Sequence, residues 1–195
     1  MPNWCDNKIQ ISGSEASIKA IKSLLEKNGS GGLFNVLVGH LPDGMNEEEY
    51  QKNWYDVNCN RWGCKWDVDI EFESMEFEND CIYMYIQTAW SPCNGFLRLV
   101  HEKYGVDVHN DYSEYANDFA GRFTIDEDGD NDECYTYLVG LYEFDYDTFI
   151  SEAEIQLQWM IDDENAPAFN EWIAGFDYVN DEAISDLKNV YEENI

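Results

Sequence analysis

Positive charge is scarce in this 195-residue sequence: 11 Lys and Arg stand against 41 Asp and Glu, a formal net charge of −30. Such a chain is repelled by nucleic acid and by anionic membrane surfaces, which argues against direct binding to either. No apolar run approaches the roughly 20 residues that cross a bilayer. The N-terminus lacks the basic-then-apolar pattern of a secretory signal, so a soluble, cytoplasmic protein is expected. Six cysteines are present (Cys5, Cys59, Cys64, Cys81, Cys93 and Cys134), but none form a C-x-x-C pair. Without a secretory signal they are expected to be reduced, several of them in the core. Cys59 and Cys64 with His40, His101 or His109 come nearest to a zinc site, and no second pair completes it. No metal or cofactor is expected.

Catalytic motifs are missing as well. There is no G-x-S-x-G, no phosphate-cradling glycine loop and no H-E-x-x-H. Cys93 with His101 could form a nucleophile and base, but six Cys and three His supply such pairs by chance. Paired carboxylates carry no information among 41 acids. No catalytic residue is assigned, and the expectation is a non-enzyme.

What the chain does contain is material for a core. It is 44% hydrophobic and 15% aromatic, with seven Trp and thirteen Tyr. A disordered acidic segment is poor in aromatics because it has no interior to fill. A domain of this size buries roughly 70% of its unfolded surface. Its charge is uneven. Residues 1–66 hold 7 basic and 8 acidic residues, and residues 67–105 hold 2 and 8. Residues 106–195 hold 2 basic residues, Arg122 and Lys188, and 25 acidic ones. A small domain stays soluble at a net charge of about 2–8, and any excess costs stability through self-repulsion.

Periodicity predicts a strand over 7–12 and a helix over 15–28 that Ser14 caps, with Ile18, Ile21, Leu24 and Leu25 on one stripe. Residues 33–66 read as an insertion, apolar to Leu41, then a turn at Pro42-Asp43-Gly44 and a short helix over 47–53. A hairpin is predicted from a strand over 67–73, a turn at Glu78-Asn79-Asp80 and a strand over 81–89. A helix over 94–104 follows, closed by Gly105, and a strand starts at 106–108. This order is the split β-α-β arrangement of a ferredoxin-like α+β fold, an antiparallel sheet with two helices on one face. A further hairpin is expected from strands over 119–125 and 134–141, joined by an acidic loop over 126–133. The last 50 residues read as helices, the last capped by Asp181. The predicted organisation is a ferredoxin-like domain over 1–142 and an acidic helical extension over 143–195 packed on it.

Four stretches together resemble a known family. They are Met1-Pro2-Asn3-Trp4-Cys5-Asp6-Asn7, then Asn60-Arg61-Trp62-Gly63-Cys64-Lys65-Trp66-Asp67, then Thr88-Ala89-Trp90-Ser91-Pro92, and Glu114-Tyr115 with Phe119-Ala120-Gly121. Over about residues 1–125 the chain resembles the YubB-type ferredoxin-like domain of bacteriophages, plasmids and other mobile elements. It departs from that pattern at Cys64, where Thr is more usual, and in its acidic helical tail. The resemblance implies a fold and a mobile-element setting but no catalytic activity, so no residue inherits a role from it.

Two sets of side chains are candidates for function. Trp4, Trp62, Trp66 and Trp90 fall at element ends that can converge on one sheet edge. They form either an aromatic-lined pocket or a small core pinning residues 33–66 to the sheet. Base stacking on such a sheet is opposed by its acidic strand faces. The second set is carboxylate: Asp126, Glu127, Asp128, Asp130, Asp132, Glu133, Glu143, Asp145, Asp147, Asp162, Asp163 and Glu164. The stretch from Asp126 fails as an EF-hand, because Asn131 stands at the turn glycine and Tyr137 at the bidentate Glu. Such carboxylates can instead imitate the polyphosphate that basic proteins bind. The expected partner is a basic, nucleic-acid-binding host protein, such as a nuclease, CRISPR or restriction component, which the chain inhibits. The alternatives are a small-molecule or enzymatic domain at the tryptophans, or a structural protein whose acidic face is merely solvated.

Overall fold

A computed structural model describes residues 3–28, 31–70, 72–162, 169–175 and 179–194. The chain divides into two compact units, Met1–Tyr137 and Leu138–Ile195.

In the first unit, β1 (Trp4–Ser12) alternates burial strictly, with Cys5, Asn7, Ile9 and Ile11 turned inward. Ser14 accepts from the Ser17 amide at 3.1 Å and so starts α1 (Glu15–Asn28), which buries Ile18, Ile21 and Leu25. The next segment differs from expectation. β2 (Gly31–Gly32) leads into α2 (Leu33–Val38), whose Leu33, Phe34 and Leu37 are buried. α3 (Glu47–Trp62) is sixteen residues long rather than a short helix over 47–53. Its start is well specified: Asn46 and Glu49 form a reciprocal capping box, and three glutamates occupy the first turn. Its apolar stripe is thin. Asn58 stands buried between Tyr50 and Trp62, accepting from the Tyr50 hydroxyl at 3.0 Å and donating to the Lys65 carbonyl at 3.0 Å. Gly63 ends the helix in the left-handed region, at φ 86°.

The predicted strand over 67–73 is corrected. β3 (Asp69–Ile70) pairs only with β2, in a separate two-stranded sheet, and a 3-10 turn covers Phe72–Ser74. The first arm of the hairpin is β4 (Glu76–Phe77), followed by the expected turn, where the Glu78 amide donates to the Cys81 carbonyl at 2.8 Å. β5 (Cys81–Ala89) buries Ile82, Met84 and Ile86, and α4 (Asn94–Tyr104) buries Phe96, Leu97 and Val100 before Gly105 closes it. β6 (Asp107–Glu114) and β7 (Phe119–Asp126) follow.

The loop expected over 126–133 is a strand. After a tight turn, β8 (Gly129–Tyr135) pairs along β7 in register from Ala120↔Tyr135 to Asp126↔Gly129. The strand predicted over 134–141 is replaced by α5 (Tyr137–Phe144), which begins two residues after β8 ends. The six-stranded antiparallel sheet runs β4-β5-β1-β6-β7-β8. One face packs with α1, α2 and α4 into a single core. The other carries Lys8, Tyr83, Tyr85, His109 and Arg122.

In the second unit α6 (Tyr146–Asp162) buries Phe149, Ala153 and Leu157. Phe169 of α7 (Phe169–Ile173) stacks on Tyr191 of α8 (Asp181–Asn194) at 4.9 Å. The cap of α8 is Asn180, which accepts from the Ala183 amide at 2.9 Å, rather than Asp181. Among the described residues no helix is long and apolar enough to cross a membrane.

Candidate functional site

Strand alternation decides what the acidic hairpin presents. Asp130 and Asp132 stand opposite Ile125 and Phe123, on the face that α4 covers. Arg98 of α4 donates to Asp130 at 2.8 Å, Asn94 donates to Asp132 at 3.0 Å, and the Tyr112 hydroxyl donates to Asp132 at 2.7 Å. Burial and that acidic acceptor push the Tyr112 hydroxyl well above its ordinary range. The opposite side chains stay outward: Glu133 accepts from Asn131 at 2.7 Å. At the turn Asp126 accepts from the Asp128 amide at 2.9 Å, and Glu127 stands exposed at the tip. The stretch thus divides into an inward pair held by α4 and an outward set facing solvent.

The remaining carboxylates belong to the second unit. Glu143 lies on α5. Asp145 precedes α6 and accepts from the Thr148 hydroxyl at 2.8 Å, and Asp147 sits in the first turn, where the helix dipole favours an acid. Asp162 is the last residue of α6, while Asp163 and Glu164 lie outside the described residues.

The four tryptophans have different environments. Trp62 is 1% exposed, edge-on to Phe34 at 5.3 Å, and Phe34 stacks on Phe96 at 4.2 Å. Among the described residues no acceptor reaches its Nε1. Trp4, Trp66 and Trp90 are exposed. Trp4 lines a groove of about 550 Å³ with Asp67, Asp69, Tyr85 and Gln87. Trp66 and Trp90 lie 6.5 Å apart with their planes at 35°, and the Lys65 ammonium sits over both, at 4.3 and 4.9 Å from the ring centroids. Trp54 and Tyr55 of α3 stand 5.9 and 5.8 Å from the same ammonium. In the sequence Lys65 stands inside one of the resembling stretches, and Trp54 and Tyr55 open the aromatic-rich segment that leads to it, with no spacing that groups the three. The signal available was a lysine flanked by tryptophan immediately after a helix-ending glycine.

The residues around these rings are spent on building the scaffold. Asp67 accepts from the amides of Phe34 at 2.7 Å, Asn35 at 3.0 Å and Val68 at 2.7 Å, so it caps α2 from a distance in sequence. Burial raises its carboxyl above the ordinary range, and those amides only partly offset it. Arg61 gives three of its donors to the carbonyls of Val38, Gly39 and His40, closing the other end of α2. Gly63 and Gly95 lie where a Cβ would come within 2.8 Å of the Pro92 carbonyl and 2.7 Å of the Arg61 carbonyl. Ser91 donates to the Gly63 carbonyl at 2.7 Å. Glu114 accepts from the Ala116 and Asn117 amides, both at 2.8 Å, and holds the turn into β7.

Beneath α4 lies a buried polar chain that sequence reasoning did not find. Asn7 donates to Thr88 at 2.9 Å, and Asn110 donates to Asn7 at 3.0 Å and to Asn94 at 3.1 Å, from which the chain continues to Asp132. On the open sheet face Asp111 receives both Arg122 Nε and Nη2, at 2.6 and 2.8 Å, and lies 3.0 Å from His109 Nε2. Burial would raise the Asp111 carboxyl, but these partners hold it below its ordinary value.

The possible Cys93–His101 pair is not assembled. Cys93 immediately precedes α4, its thiol 3.6 Å from Asn7 Oδ1, and His101 Nδ1 lies 2.8 Å from the Val106 carbonyl near the helix end. Eight residues of helix separate them, roughly 12 Å of rise. Burial raises the thiols of Cys5 and Cys93, and pushes Cys64 to about 12, so none is poised as a nucleophile. The grouping of Cys59 and Cys64 with a histidine is likewise not formed. Among the described residues no set of three or more His, Cys, Asp or Glu side chains is arranged to hold a metal ion.

Compared with family models, curated proteins and solved structures, the chain matches none.

Proposed function

We propose that this chain is a non-enzymatic accessory protein of a bacteriophage, plasmid or other mobile element, acting in the bacterial cytoplasm. Its anionic surface binds and inhibits a basic host protein that itself binds nucleic acid, such as a nuclease, CRISPR or restriction component. One observation carries this reading. With every Lys and Arg paired to a different carboxylate, 30 of the 41 carboxylates would still lack a side-chain cation. That surplus opposes compaction and exceeds what solubility requires, which favours a use for it. The outward carboxylates of the hairpin, Glu127, Asp128 and Glu133, are the first contacts in the Met1–Tyr137 unit. Glu143 and Asp147 are the first in the Leu138–Ile195 unit.

The finer fold reading belongs with this proposal. The strand order β4-β5-β1-β6, with α1 after β1 and α4 between β5 and β6, supports a ferredoxin-like split β-α-β core. It also supports kinship with the YubB-type domain, two of whose resembling stretches, 60–67 and 88–92, lie together through the Ser91 hydrogen bond to the Gly63 carbonyl. A small-molecule role has one observation in its favour, the groove that Trp4 lines.

Capture from a bacterial lysate tests the proposal. The immobilised chain is expected to retain basic nucleic-acid-binding proteins and to release them at moderate salt, as screened charge pairs do. Retention of no basic protein sinks it. Ligand-induced stabilisation that disappears in Trp4→Ala would favour the small-molecule role instead.

A further inference from the structure

We infer that the aromatic cage around Lys65 is the anchor for a cationic side chain, arginine or lysine, of the basic partner, and that Lys65 is its tethered stand-in. The inference rests on the proposed partner being basic, and it names where that partner is gripped. Aromatic faces attract cations through the ring quadrupole, and this cage already holds an alkylammonium 4.3 and 4.9 Å from the Trp66 and Trp90 rings, with Trp54 and Tyr55 5.9 and 5.8 Å away. Lys65 forms no ion pair among the described residues, although acids outnumber bases nearly four to one along the chain. Rings rather than carboxylates hold it.

Three features mark the cage as a recognition surface rather than a leftover of packing. Trp66, Trp90 and Tyr55 remain 38%, 42% and 45% exposed, although such rings usually bury in a core. Trp90 has φ 71°, a left-handed conformation that the backbone gives most readily to glycine, yet the position carries the largest side chain. The platform is rigid, because the glycine contacts at Gly63 and Gly95 leave no room between the two segments that carry the rings. Rigid, exposed Trp and Tyr are the residues that dominate binding energy at interfaces, and arginine is their frequent counterpart. The field of the chain selects the sign: at −30 it draws a cation toward the rings and repels a phosphate that Lys65 would otherwise attract.

Titration of the full chain with a short arginine-rich peptide at low salt tests this, read by the indole N–H resonances in two-dimensional NMR. Trp66→Phe and Trp90→Phe assign the two signals, and each variant retains an aromatic face. The peptide is expected to shift the Trp66 and Trp90 indoles. Trp66→Ala and Trp90→Ala should weaken binding by roughly 2- to 30-fold, the range that cation–π contacts span. Lys65→Ala, which vacates the cage, should tighten binding. If the peptide binds with salt sensitivity but leaves both indoles unmoved and the alanine variants unchanged, the anchor is wrong and the anionic-surface reading stands. If Lys65→Ala weakens binding, Lys65 itself makes the contact and the inference is overturned. If the wild-type chain does not bind the peptide at low salt, the reading beneath it fails too.

Discussion

Trp62 and Trp66 lie four residues apart, and the structure assigns them opposite jobs, so their substitutions should separate cleanly. Trp62→Ala removes the largest side chain of the core from a site 1% exposed, next to the Phe34–Phe96 stack. Truncations of this kind cost about 3–5 kcal/mol. Part of that is returned, because the wild type buries an indole N–H with no acceptor and the variant does not. Relief of a buried unsatisfied donor is worth about 1–3 kcal/mol, which leaves a net loss centred on roughly 2 kcal/mol. Trp62→Phe keeps a ring against Phe34 and sheds the orphan donor, so it should cost under about 1.5 kcal/mol. Trp66→Ala loses an exposed cation–π contact, about 0.5–1 kcal/mol. Amide hydrogen exchange in β1 and β5 across a urea series reads the Met1–Tyr137 unit by itself. A Trp62→Ala variant no less stable than Trp66→Ala would refute the division between core and surface rings.

Three further outcomes follow from the same geometry. At Trp90, glycine should be more stable than alanine by about 1 kcal/mol, since only glycine adopts φ 71° without strain; urea unfolding of both variants decides it. A thiol reagent at mildly alkaline pH should label exposed Cys134 first and leave Cys5, Cys64 and Cys93 silent until unfolding, with the fast phase lost in Cys134→Ser. The Asp111 carboxyl is held below its ordinary value by Arg122 and His109 against the opposing effect of burial. Its stabilisation is therefore present above the unfolded value of about 4 and lost as pH falls through the folded one. The stability gap between wild type and Asp111→Asn should be full at neutral pH and close in acid; a gap that widens in acid would reverse the sign.

Elements with a strong period were legible in the sequence. The helices over 15–28 and 94–104 and the strand over 81–89 end where a cap, a left-handed glycine or a turn ends them. The misses have physical causes. The second half of α3 is not legible because Asn58 occupies a core position, satisfied by the Tyr50 hydroxyl and the Lys65 carbonyl, so no apolar stripe marks it. β8 read as a loop because Asp, Asn and Glu have poor strand propensity. A neighbouring strand supplies the ladder, and Arg98 and Asn94 receive its inward acids. The strand expected over 67–73 is not formed as such: Asp69–Ile70 pairs with β2, and β4 takes the place beside β5.

Of the candidate site, the tryptophans were visible and their roles were not. Gly63 turns the chain at the end of α3, which leaves Trp62 inside, Lys65 half-buried and Trp66 exposed, and no residue count reveals that reversal. The Asn7–Asn110–Asn94 chain is assembled from three elements far apart in sequence, and nothing local announces it.

The central claim is that this chain occupies the surface with which a basic host protein holds nucleic acid. Competition measures it most directly: a captured partner is bound to the labelled chain and titrated with duplex DNA. Displacement of the chain by DNA, with loss of affinity when Glu127, Asp128 and Glu133 become amides, is the predicted result. A ternary complex of partner, chain and DNA, with affinity untouched by those substitutions, would contradict it.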